Sequence, residues 1–384
     1  MAKKSSKTIP THPDGETMKA VCFSSYGKDP KKVLQVKTIP KPFLDRNGNG
    51  NGNGNSQDQD HQVLIKVHAC ALNPIDKIRV NGDLAAVMPE QFDDNNVLGY
   101  DVSGVVEETT ASTTDCCKFK VGDEVYVRLA GMNYGALSEY VVCNTAEVGK
   151  KPTNISFSEA ASIPLAGLTA FQSLKRGGVK EGSKVFIPGG AGGVGSIAIQ
   201  IAKKVLKAGY VCTTASPGKG TELCTQMGAD RVIDYRSEDF ETVLAGEDFD
   251  MVFDTMHQGD KMASLLKKGG KVISISGPPT IEAIEAMTSD GNGDGNGVGF
   301  AVKMFMFLTR NRKAEKAAKK AGASWEYIFM TPSGEELNEL GTYLESGELK
   351  AVIDTEADGL DDFMTAVDKL WSGRSKGKCV IKIV

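Results

Sequence analysis

The chain has 384 residues, a length typical of about two domains. Hydrophobic residues make up 40% and charged residues 24% of the sequence, proportions that belong to folded globular proteins and exclude a disordered polar chain. The 45 Lys and Arg and 49 Asp and Glu leave a net charge of -4, so no general positive field draws the chain to nucleic acid.

The apolar runs and the cysteines indicate the compartment. No run approaches the ~18 consecutive apolar residues that span a bilayer, and the N-terminus lacks the apolar core of a signal peptide. The 8 cysteines contain no C-x-x-C pair, which predicts reduced thiols rather than a disulfide framework or a zinc ribbon. We therefore expect a cytoplasmic protein. Residues 1–17 are interpreted as a flexible extension, whose Lys and Ser leave an organelle address open.

Short runs of alternating apolar and polar residues dominate the N-terminal part of the chain. The runs predicted as strands are Lys19 to Phe23, Val63 to Leu72, Val102 to Glu108, Asp123 to Leu129 and Leu137 to Cys143. This alternation is typical of an antiparallel β domain with polar outward positions. Two tracts rich in Asn and Gly, Asn47 to Asn55 and Asp290 to Gly299, predict flexible surface insertions because they bury little apolar area.

A glycine cluster follows the apolar run Lys184 to Pro188 and precedes a helical pattern, and it matches the dinucleotide fingerprint G-x-G-x-x-G. In that fingerprint the glycines turn the chain, let the backbone approach a pyrophosphate, and let the helix pack close to the strand. The helix N-terminus then offers N–H groups to the negative charge. The residues predicted to bind the dinucleotide here are Gly190, Gly192, Gly193, Val194 and Gly195.

Strands and helices alternate after the glycine cluster. The predicted strands are Tyr210 to Ala215, Arg231 to Tyr235, Asp250 to Thr255, Lys271 to Ser276, Glu326 to Met330 and Cys379 to Val384. The predicted helices are Thr221 to Ala229, a helix that ends in the segment Leu265 to Gly270, and Gly334 to Gly347. This order predicts a doubly wound parallel sheet of the Rossmann type. The fold class is therefore α/β with an additional β domain.

The segment from Ala301 to Ala321 is basic and amphipathic. Such a pattern is found in helices that bind membranes or calmodulin, and also in helices that pack on a protein core. We favour the packed helix because the chain as a whole is acidic. Membrane contact stays open as the alternative.

The residues after the second Rossmann strand bear on which dinucleotide binds. An Asp or Glu there would hold the ribose 2′-hydroxyl of NAD, but Tyr210 to Lys219 contains no acid. Ser216 and Lys219 instead offer a hydroxyl and a cation, which suit a 2′-phosphate. The sequence therefore predicts NADPH. A solvated loop lysine is the alternative reading of Lys219.

Several collinear motifs resemble the medium-chain dehydrogenase/reductase superfamily, in its zinc-free quinone oxidoreductase and enone reductase branch. The matching stretches are Ala71 to Gly82, Leu98 to Glu108, Val121 to Val127, Gly135 to Cys143, Ser156 to Leu174, Gly228 to Phe240 and the ending GRSKGKCVIKIV. The resemblance implies a discontinuous GroES-like domain at 18–154 and 332–384, a Rossmann domain at 155–331, and an active site in the cleft between them.

The resemblance also indicates which positions would hold zinc in related dehydrogenases. Those positions read Asn73, Tyr100 and the Leu165 to Gly167 region, where zinc enzymes place Cys, His and another Cys or acid. These residues do not form a Cys/His site with three protein ligands, so we predict no metal. His68 and Cys70 share one strand face, but packing is favoured over ligation for lack of a third ligand.

The roles of further residues are implied by the resemblance alone. Asn73 would lie by the nicotinamide and Asp76 would support its loop. Tyr100 and Tyr134 are candidates to donate a hydrogen bond or proton to the oxyanion, with a buried structural tyrosine as the alternative for each. The remaining cofactor contacts would be Thr169 near the nicotinamide, Tyr235 beside the adenosine ribose, and the loop from Ser276 through Gly277 to Pro278 that frames the nicotinamide.

The expected function is an NADPH-dependent reductase that transfers hydride to quinones or α,β-unsaturated carbonyl compounds without a metal. Such a reduction produces a delocalised oxyanion that needs no Lewis acid. The alternative is an NADPH-binding redox sensor or structural protein of the same fold with little catalysis. The resemblance further implies a homodimer formed by edge-to-edge pairing of the strand Glu326 to Met330. The Met256 to Gln258 turn departs from the small Gly-rich turn usual in the family.

Overall fold

The computed structural model describes residues 14–44, 61–85, 89–90, 92, 96–110, 119–130, 135–280 and 311–384. Tyr134, both predicted surface insertions and the first half of the predicted basic helix lie outside the described residues.

The described residues form the following strands and helices. The strands are β1 (Thr17–Phe23), β2 (Leu34–Pro40), β3 (Gln62–Leu72), β4 (Asp101–Thr109), β5 (Glu124–Arg128), β6 (Tyr140–Asn144), β7 (Val148–Lys150), β8 (Lys184–Ile187), β9 (Tyr210–Ala215), β10 (Arg231–Asp234), β11 (Phe249–Asp254), β12 (Leu266–Ser274), β13 (Ser324–Tyr327), β14 (Ile353–Asp358) and β15 (Lys378–Lys382). The helices are α1 (Pro30–Val33), α2 (Pro74–Asn81), α3 (Phe157–Ala161), α4 (Pro164–Gly177), α5 (Gly193–Gln200), α6 (Lys219–Met227), α7 (Phe240–Val243), α8 (Gly259–Met262), α9 (Arg312–Lys320), α10 (Gly334–Glu345) and α11 (Phe363–Trp371).

A mainly antiparallel sheet joins the two ends of the chain. Its strand order is β14-β15-β3-β4-β5-β7, with β6 also paired to β3. Strand β15 runs antiparallel to β3, so the last strand of the chain completes a sheet begun near its start. One face packs an apolar core that includes Val63, Ile65 and Val67, which alternate with other residues along β3. A separate hairpin pairs β1 with β2.

A parallel sheet forms the second unit, in the order β10-β9-β8-β11-β12-β13. Each neighbouring pair is parallel, and the order reverses direction between β8 and β11. This is the doubly wound arrangement in which ligands bind beyond the carboxyl ends of the strands at the reversal point. The predicted α/β class, with a GroES-like β unit and a Rossmann-type sheet, is confirmed.

The predicted helix through Leu265 to Gly270 is wrong. Helix α8 ends at Met262, a single 3-10 turn follows at Ala263–Leu265, and β12 begins at Leu266. Leu266 pairs with Phe249 of β11, and both side chains are buried. Burial across the parallel sheet therefore overrides the local Leu-Leu-Lys-Lys-Gly-Gly pattern, which looks like a helix end.

Smaller differences also separate the sequence prediction from the structure. The last parallel strand lies at Ser324–Tyr327 rather than Glu326 to Met330, although the N–H of Ile328 still donates to the Ser274 carbonyl at 2.9 Å. Strands β2, β7 and β14 were absent from the prediction, because their alternation is weak or their runs are short.

Helix α9 packs as an amphipathic surface helix over the part that the structure describes. Ala314 and Ala318 are buried, whereas Lys316 and Lys319 are exposed. No helix within the described ranges is long and apolar enough to cross a membrane.

Candidate functional site

The glycine turn lies at the carboxyl end of β8, where the parallel sheet reverses its strand order. Gly189 has a φ of 71°, and the N–H groups of Gly189 and Gly190 donate to Thr214 Oγ1 and the Thr214 carbonyl, both at 3.0 Å. A Cβ added at Gly195 would lie 2.8 Å from Gly190 Cα, and one added at Gly190 would lie 2.8 Å from Ile199 Cδ1. Only glycine fits at these two positions.

The same turn is suited to an anionic group. Helix α5 begins at Gly193 and has no side-chain cap. The first N–H groups of a helix have no partner within it and carry the positive end of the helix dipole. A Cβ added at Gly192 would meet only the Gly189 carbonyl oxygen within 4 Å, at 3.3 Å, so open space lies beside this glycine. The turn therefore fits a pyrophosphate, as its spacing predicts.

Polar and cationic side chains follow the ends of β9 and β10. These strands are parallel neighbours with Ala215 opposite Asp234, so the residues after them meet at one sheet edge. Lys219 at the start of α6 is exposed, and Tyr235 is exposed with the Arg236 guanidinium 6.0 Å from its ring. Ser216 lies beside Gly220, whose added Cβ would be 2.8 Å from Ser216 Oγ. Arg236 was not predicted, although it directly follows Tyr235.

On the other side of β8, the loop after β11 is hydrogen-bonded to the loop after β12. The N–H of His257 donates to Ser276 Oγ at 2.5 Å, and His257 Nδ1 lies 3.2 Å from the Ser276 carbonyl oxygen. His257 has a φ of 56°, and its ring occupies the space that a side chain at Gly277 would need. Asp254, which is fully buried, accepts the N–H groups of Met256 and Gln258, both at 3.1 Å. The unusual Met256 to Gln258 turn is thus held by Asp254 and Ser276.

Asn73 stands at the start of α2, where β3 ends, and its side chain is buried in a polar network. Asn73 Nδ2 donates to Asp101 Oδ2 at 2.9 Å and to the Ala71 carbonyl at 3.3 Å. Lys378 Nζ donates to Asn73 Oδ1 and to Asp101 Oδ2, the latter at 3.1 Å. Asp101 Oδ1 accepts the N–H of Leu165 at 2.9 Å. Asp101 and Lys378 were missed as site residues, although both lie in the motifs that carry the family resemblance.

Asp76 is hydrogen-bonded to the backbone of the Asn73 loop. Its carboxylate accepts the N–H of Asn73 at 2.8 Å and the N–H of Gly99 at 3.1 Å. Asp76 is fully buried, and burial raises the pKa of its carboxyl group to about 6. Asp76 therefore joins the backbone at Asn73 to the backbone at Gly99, and its role in supporting the cofactor site stays a prediction.

Tyr100 is buried between two arginines. The guanidinium carbons of Arg79 and Arg128 lie 5.4 and 5.1 Å from the centre of its ring. Arg79 Nε also pairs with Glu90 Oε1 at 2.8 Å. Burial raises the pKa of the Tyr100 phenol, so it stays protonated and able to donate a hydrogen bond near neutral pH. Thr169 is buried in the middle of α4.

The final strand connects the glycine turn to the Asn73 network. Gly377 forms an isolated parallel bridge with Gly192, and a Cβ added at Gly193 would lie 2.9 Å from Lys378 Cδ. The predicted residues therefore lie beyond the carboxyl ends of several strands of the parallel sheet. Ser216, Lys219 and Tyr235 follow β9 and β10, the glycine turn follows β8 and reaches Asn73 through Lys378, and the Ser276 loop follows β12. Tyr134 cannot be placed among them, since it lies outside the described residues.

The side chains that hydrogen-bond one another in the Asn73 network are an amide, a carboxylate and an ammonium: Asn73, Asp101 and Lys378. Within the described ranges, no group of three or more His, Cys, Asp or Glu side chains is arranged to hold a metal ion.

Comparison with known proteins identifies the family. Residues 59–153 match the family described as Alcohol dehydrogenase GroES-like domain, and residues 227–381 match the family described as Zinc-binding dehydrogenase. The chain is 36% identical over 330 residues to a 2-methylene-furan-3-one reductase of Solanum lycopersicum, covering 83% of this chain and 71% of the relative. It is 35% identical over 302 residues to an NADPH-dependent alkenal/one oxidoreductase, chloroplastic, of Arabidopsis thaliana, covering 76% of this chain and 64% of the relative.

A solved structure agrees with these sequence matches. The quinone oxidoreductase from Coxiella burnetii superimposes with a TM-score of 0.74 at 31% identity, covering 96% of this chain and 100% of that chain. The chain belongs to the medium-chain dehydrogenase/reductase superfamily, in its quinone and enone reductase branch.

Proposed function

We propose that this protein is an NADPH-dependent reductase of quinones or α,β-unsaturated carbonyl compounds. The observation that carries the proposal is the contact between the dinucleotide glycine turn and the buried Asn73 network through Lys378. It sets a cofactor-binding turn beside a polar site built from amide, ammonium and carboxylate groups. The activities for which the Solanum and Arabidopsis relatives and the Coxiella protein are named agree with this assignment.

Different parts of the cofactor would contact residues that follow different strands of the parallel sheet. The first turn of α5 would receive the pyrophosphate, and Ser216, Lys219 and Arg236 would surround the 2′-phosphate, with Tyr235 against the adenosine. The loop of Ser276 and Gly277 and the buried Thr169 would frame the nicotinamide. When bound, NADPH supplies the hydride that reduces the acceptor.

The protein would contribute orientation and hydrogen bonding to the acceptor. Tyr100 is the described candidate to donate a hydrogen bond to the developing oxyanion, because its buried phenol stays protonated. Tyr134 stays a sequence prediction of the same kind. Solvent can deliver the final proton, so the proposal requires no essential acid.

We further propose that the reaction needs no zinc, despite the name of one matching family. The support is chemical: Asn73 and Tyr100 stand where a zinc enzyme of this superfamily would place thiolate and imidazole ligands. Metal analysis of the purified protein, together with turnover before and after treatment with a strong chelator, tests this point. Stoichiometric zinc and loss of turnover on chelation would contradict it.

The central test is NADPH oxidation with a panel of acceptors: a short-chain enone, an alkenal and several quinones. We expect turnover with at least one class and a reduced product that carries the hydride from the cofactor. NADPH binding by the folded protein without turnover on any acceptor would refute the enzyme and favour a redox-sensing or structural role.

Domain limits, assembly and location belong to the same proposal. We place the domain boundaries near 154/155 and 331/332, because the strands of the mainly antiparallel sheet lie on either side of those of the parallel sheet along the chain.

Strand β13 ends the parallel sheet within the described residues, which supports a homodimer through that edge. Light scattering on a sizing column should give the dimer mass, and a monomer mass would refute pairing.

We propose a cytoplasmic location, with an organelle as the competing outcome because the Arabidopsis relative is chloroplastic. Imaging of the full chain with a C-terminal fluorescent tag separates these outcomes.

A further inference from the structure

Two buried arginines flank the ring of Tyr100, and one of them holds a carboxylate. Arg79 donates from Nε to Glu90 Oε1 at 2.8 Å and from Nη2 to Glu90 Oε2 at 3.3 Å. One edge of its guanidinium therefore binds both carboxylate oxygens, which is the geometry that arginine favours. The guanidinium carbon of Arg128 lies 5.1 Å from the centre of the Tyr100 ring, close to the 5.4 Å of Arg79.

The same edge of Arg128 holds no carboxylate. Arg128 Nη1, on the other edge, donates to the Leu129 carbonyl at 2.6 Å. Among the residues that the structure describes, no atom accepts a hydrogen bond from Arg128 Nε or Nη2. Arg128 is only 4% exposed, so bulk water does not solvate this charge as it would at the surface.

A buried guanidinium without an anion beside it is unfavourable, because a charge taken out of water needs a partner. Burial accordingly lowers the pKa of Arg128, and the more distant carboxylates of Asp101, Glu147 and Asp76 oppose this effect. The oxygens of these carboxylates accept hydrogen bonds from other groups: Asn73, Lys378 and Leu165 for Asp101, Asn73 and Gly99 for Asp76, and Ala130 for Glu147.

The edge of Arg128 without a partner belongs to a side chain next to the Asn73 network. Arg128 of β5 is directly opposite Asp101 of β4 in the antiparallel pair. Side chains at directly opposite positions share one face of the sheet, with Cβ atoms about 4.5 to 5.5 Å apart. Asp101 in turn binds Asn73 and Lys378. A ligand held by Arg128 would therefore lie near this network and near Tyr100.

We propose that the Nε and Nη2 edge of Arg128 binds a carboxylate of the acceptor, so that the preferred substrates are enones or quinones that carry a carboxylate group. Glu90 on Arg79 provides the geometry expected for the bound carboxylate. The inference rests on the proposed function, because it assigns the carboxylate to the acceptor. A suitable probe is 4-oxo-2-pentenoate. Its reduction adds a hydride from NADPH and a proton from solvent across the C=C bond, and it yields 4-oxopentanoate and NADP⁺.

Binding of the product tests the site without turnover. Calorimetric titration of the full chain, with and without NADP⁺, compares 4-oxopentanoate with its uncharged methyl ester. We expect the wild type to bind the acid at least about tenfold more tightly than the ester. Acetate and inorganic phosphate are the free-anion probes, and both should bind more weakly than 4-oxopentanoate. Equal affinity for either of them would assign the site to a free anion and would overturn the inference.

Arg128→Met is the central variant, because methionine is unbranched and carries no charge. We expect it to lose the preference for acid over ester and to unfold at a temperature no lower than that of the wild type, since no ion pair is broken. A purely structural arginine would give the opposite result, with a lower unfolding temperature and an unchanged preference. Arg128→Lys keeps the charge but cannot form the bidentate pair, so the acid should bind at least about threefold more weakly and the ester as before. This second variant decides the point if Arg128→Met does not fold.

Arg176→Met is the matched control. Arg176 is exposed and also holds a carboxylate through Nε, with Glu326 oxygens at 2.8 and 3.1 Å, so its loss should leave the binding of acid and ester unchanged.

Turnover separates this inference from the proposed function. The wild type should show a kcat/KM at least about tenfold higher for 4-oxo-2-pentenoate than for its methyl ester, and Arg128→Met should show about equal values. Equal values in the wild type would overturn the inference and leave the proposed function intact. Binding of 4-oxopentanoate that depends on Arg128, without NADPH oxidation by any acceptor, would refute the proposed function and support the carboxylate site.

Discussion

Lys378 of the last strand lies against Gly193, the first residue of the helix that follows the glycine turn, and its ammonium reaches Asn73 at the end of β3. One side chain thus touches the element that suits a pyrophosphate and the residue expected beside the nicotinamide. Lys378 belongs to the same sheet as Asn73, because β15 pairs with β3. A side chain at position 193 would displace Lys378, which explains why the turn needs glycine there as well as at the fingerprint positions.

Two glycines of the turn should respond differently to alanine. Gly195→Ala puts a Cβ 2.8 Å from Gly190 Cα, so we expect a loss of at least about 2 kcal/mol in the free energy of unfolding. Gly192→Ala meets one carbonyl oxygen at 3.3 Å, so it should fold with a much smaller loss. The added methyl would instead crowd the pyrophosphate and raise the Kd for NADPH about tenfold or more. Denaturation and fluorescence titration measure the two effects. Equal stability losses for both variants would contradict this assignment.

Preference for NADPH should depend on the cations after β9 and β10. Lys219→Ala and Arg236→Ala should each raise the Kd for NADPH about tenfold, since each removes a charge that we propose to pair with the 2′-phosphate. The Kd for NADH should change little. Lys207→Ala is the control, because Lys207 is exposed and pairs with Glu348 instead. If wild type binds NADH as tightly as NADPH, the cofactor assignment of these residues is wrong.

Tyr100→Phe separates a hydrogen-bond donor from a structural tyrosine. The substitution keeps the ring between Arg79 and Arg128 and removes only the hydroxyl. We expect kcat to fall about tenfold or more while the Kd for NADPH stays within about twofold. Tyr126→Phe is the matched control, because its buried hydroxyl donates to the Leu337 carbonyl away from the site. Unchanged kcat in Tyr100→Phe, with a stability loss like that of the control, would assign a structural role.

Asp76 should make folding stability depend on pH. Its pKa of about 6 in the folded state exceeds the value of 3.8 expected without burial, so the folded protein binds a proton more tightly than the unfolded chain. The contribution of this group is therefore fully present below about pH 4 and is lost as the pH rises through about 6. The Asp76→Asn variant has no titrating group at this position, so its free energy of unfolding should lack this dependence on pH. The difference in unfolding free energy between variant and wild type should shift by about 2 kcal/mol in favour of the variant between pH 4 and pH 7.5.

The measurement is urea denaturation of both proteins across that pH range. The replacement also disturbs the hydrogen bonds from the N–H groups of Asn73 and Gly99, so the comparison uses the change with pH rather than the offset at one pH. Parallel curves for the two proteins would show that Asp76 has an ordinary pKa in the fold.

Local signals in the sequence account for most of the parallel sheet and for the glycine turn. Strand β9 was predicted at its observed residues, because β-branched and aromatic residues between turn residues are typical of a strand. The end of α8 was not, because Leu265 to Gly270 reads locally as a helix terminus. In the structure, the residues from Leu266 onward instead form β12, which pairs with β11. A pairing partner that is distant along the chain gives no signal in the local sequence.

The sequence by itself determined the chemistry that is available: the glycine spacing and the absence of an acid after β9. The family resemblance adds that Asn73 and Tyr100 take positions where zinc enzymes need other ligands. Only the tertiary structure decided how these groups are used. Lys378 lies 305 residues from Asn73 along the chain, and their hydrogen bond exists because β15 pairs with β3. Hydrogen bonds between such distant residues depend on the register of strands that are far apart in the chain, and that register is a property of the packed fold rather than of either segment.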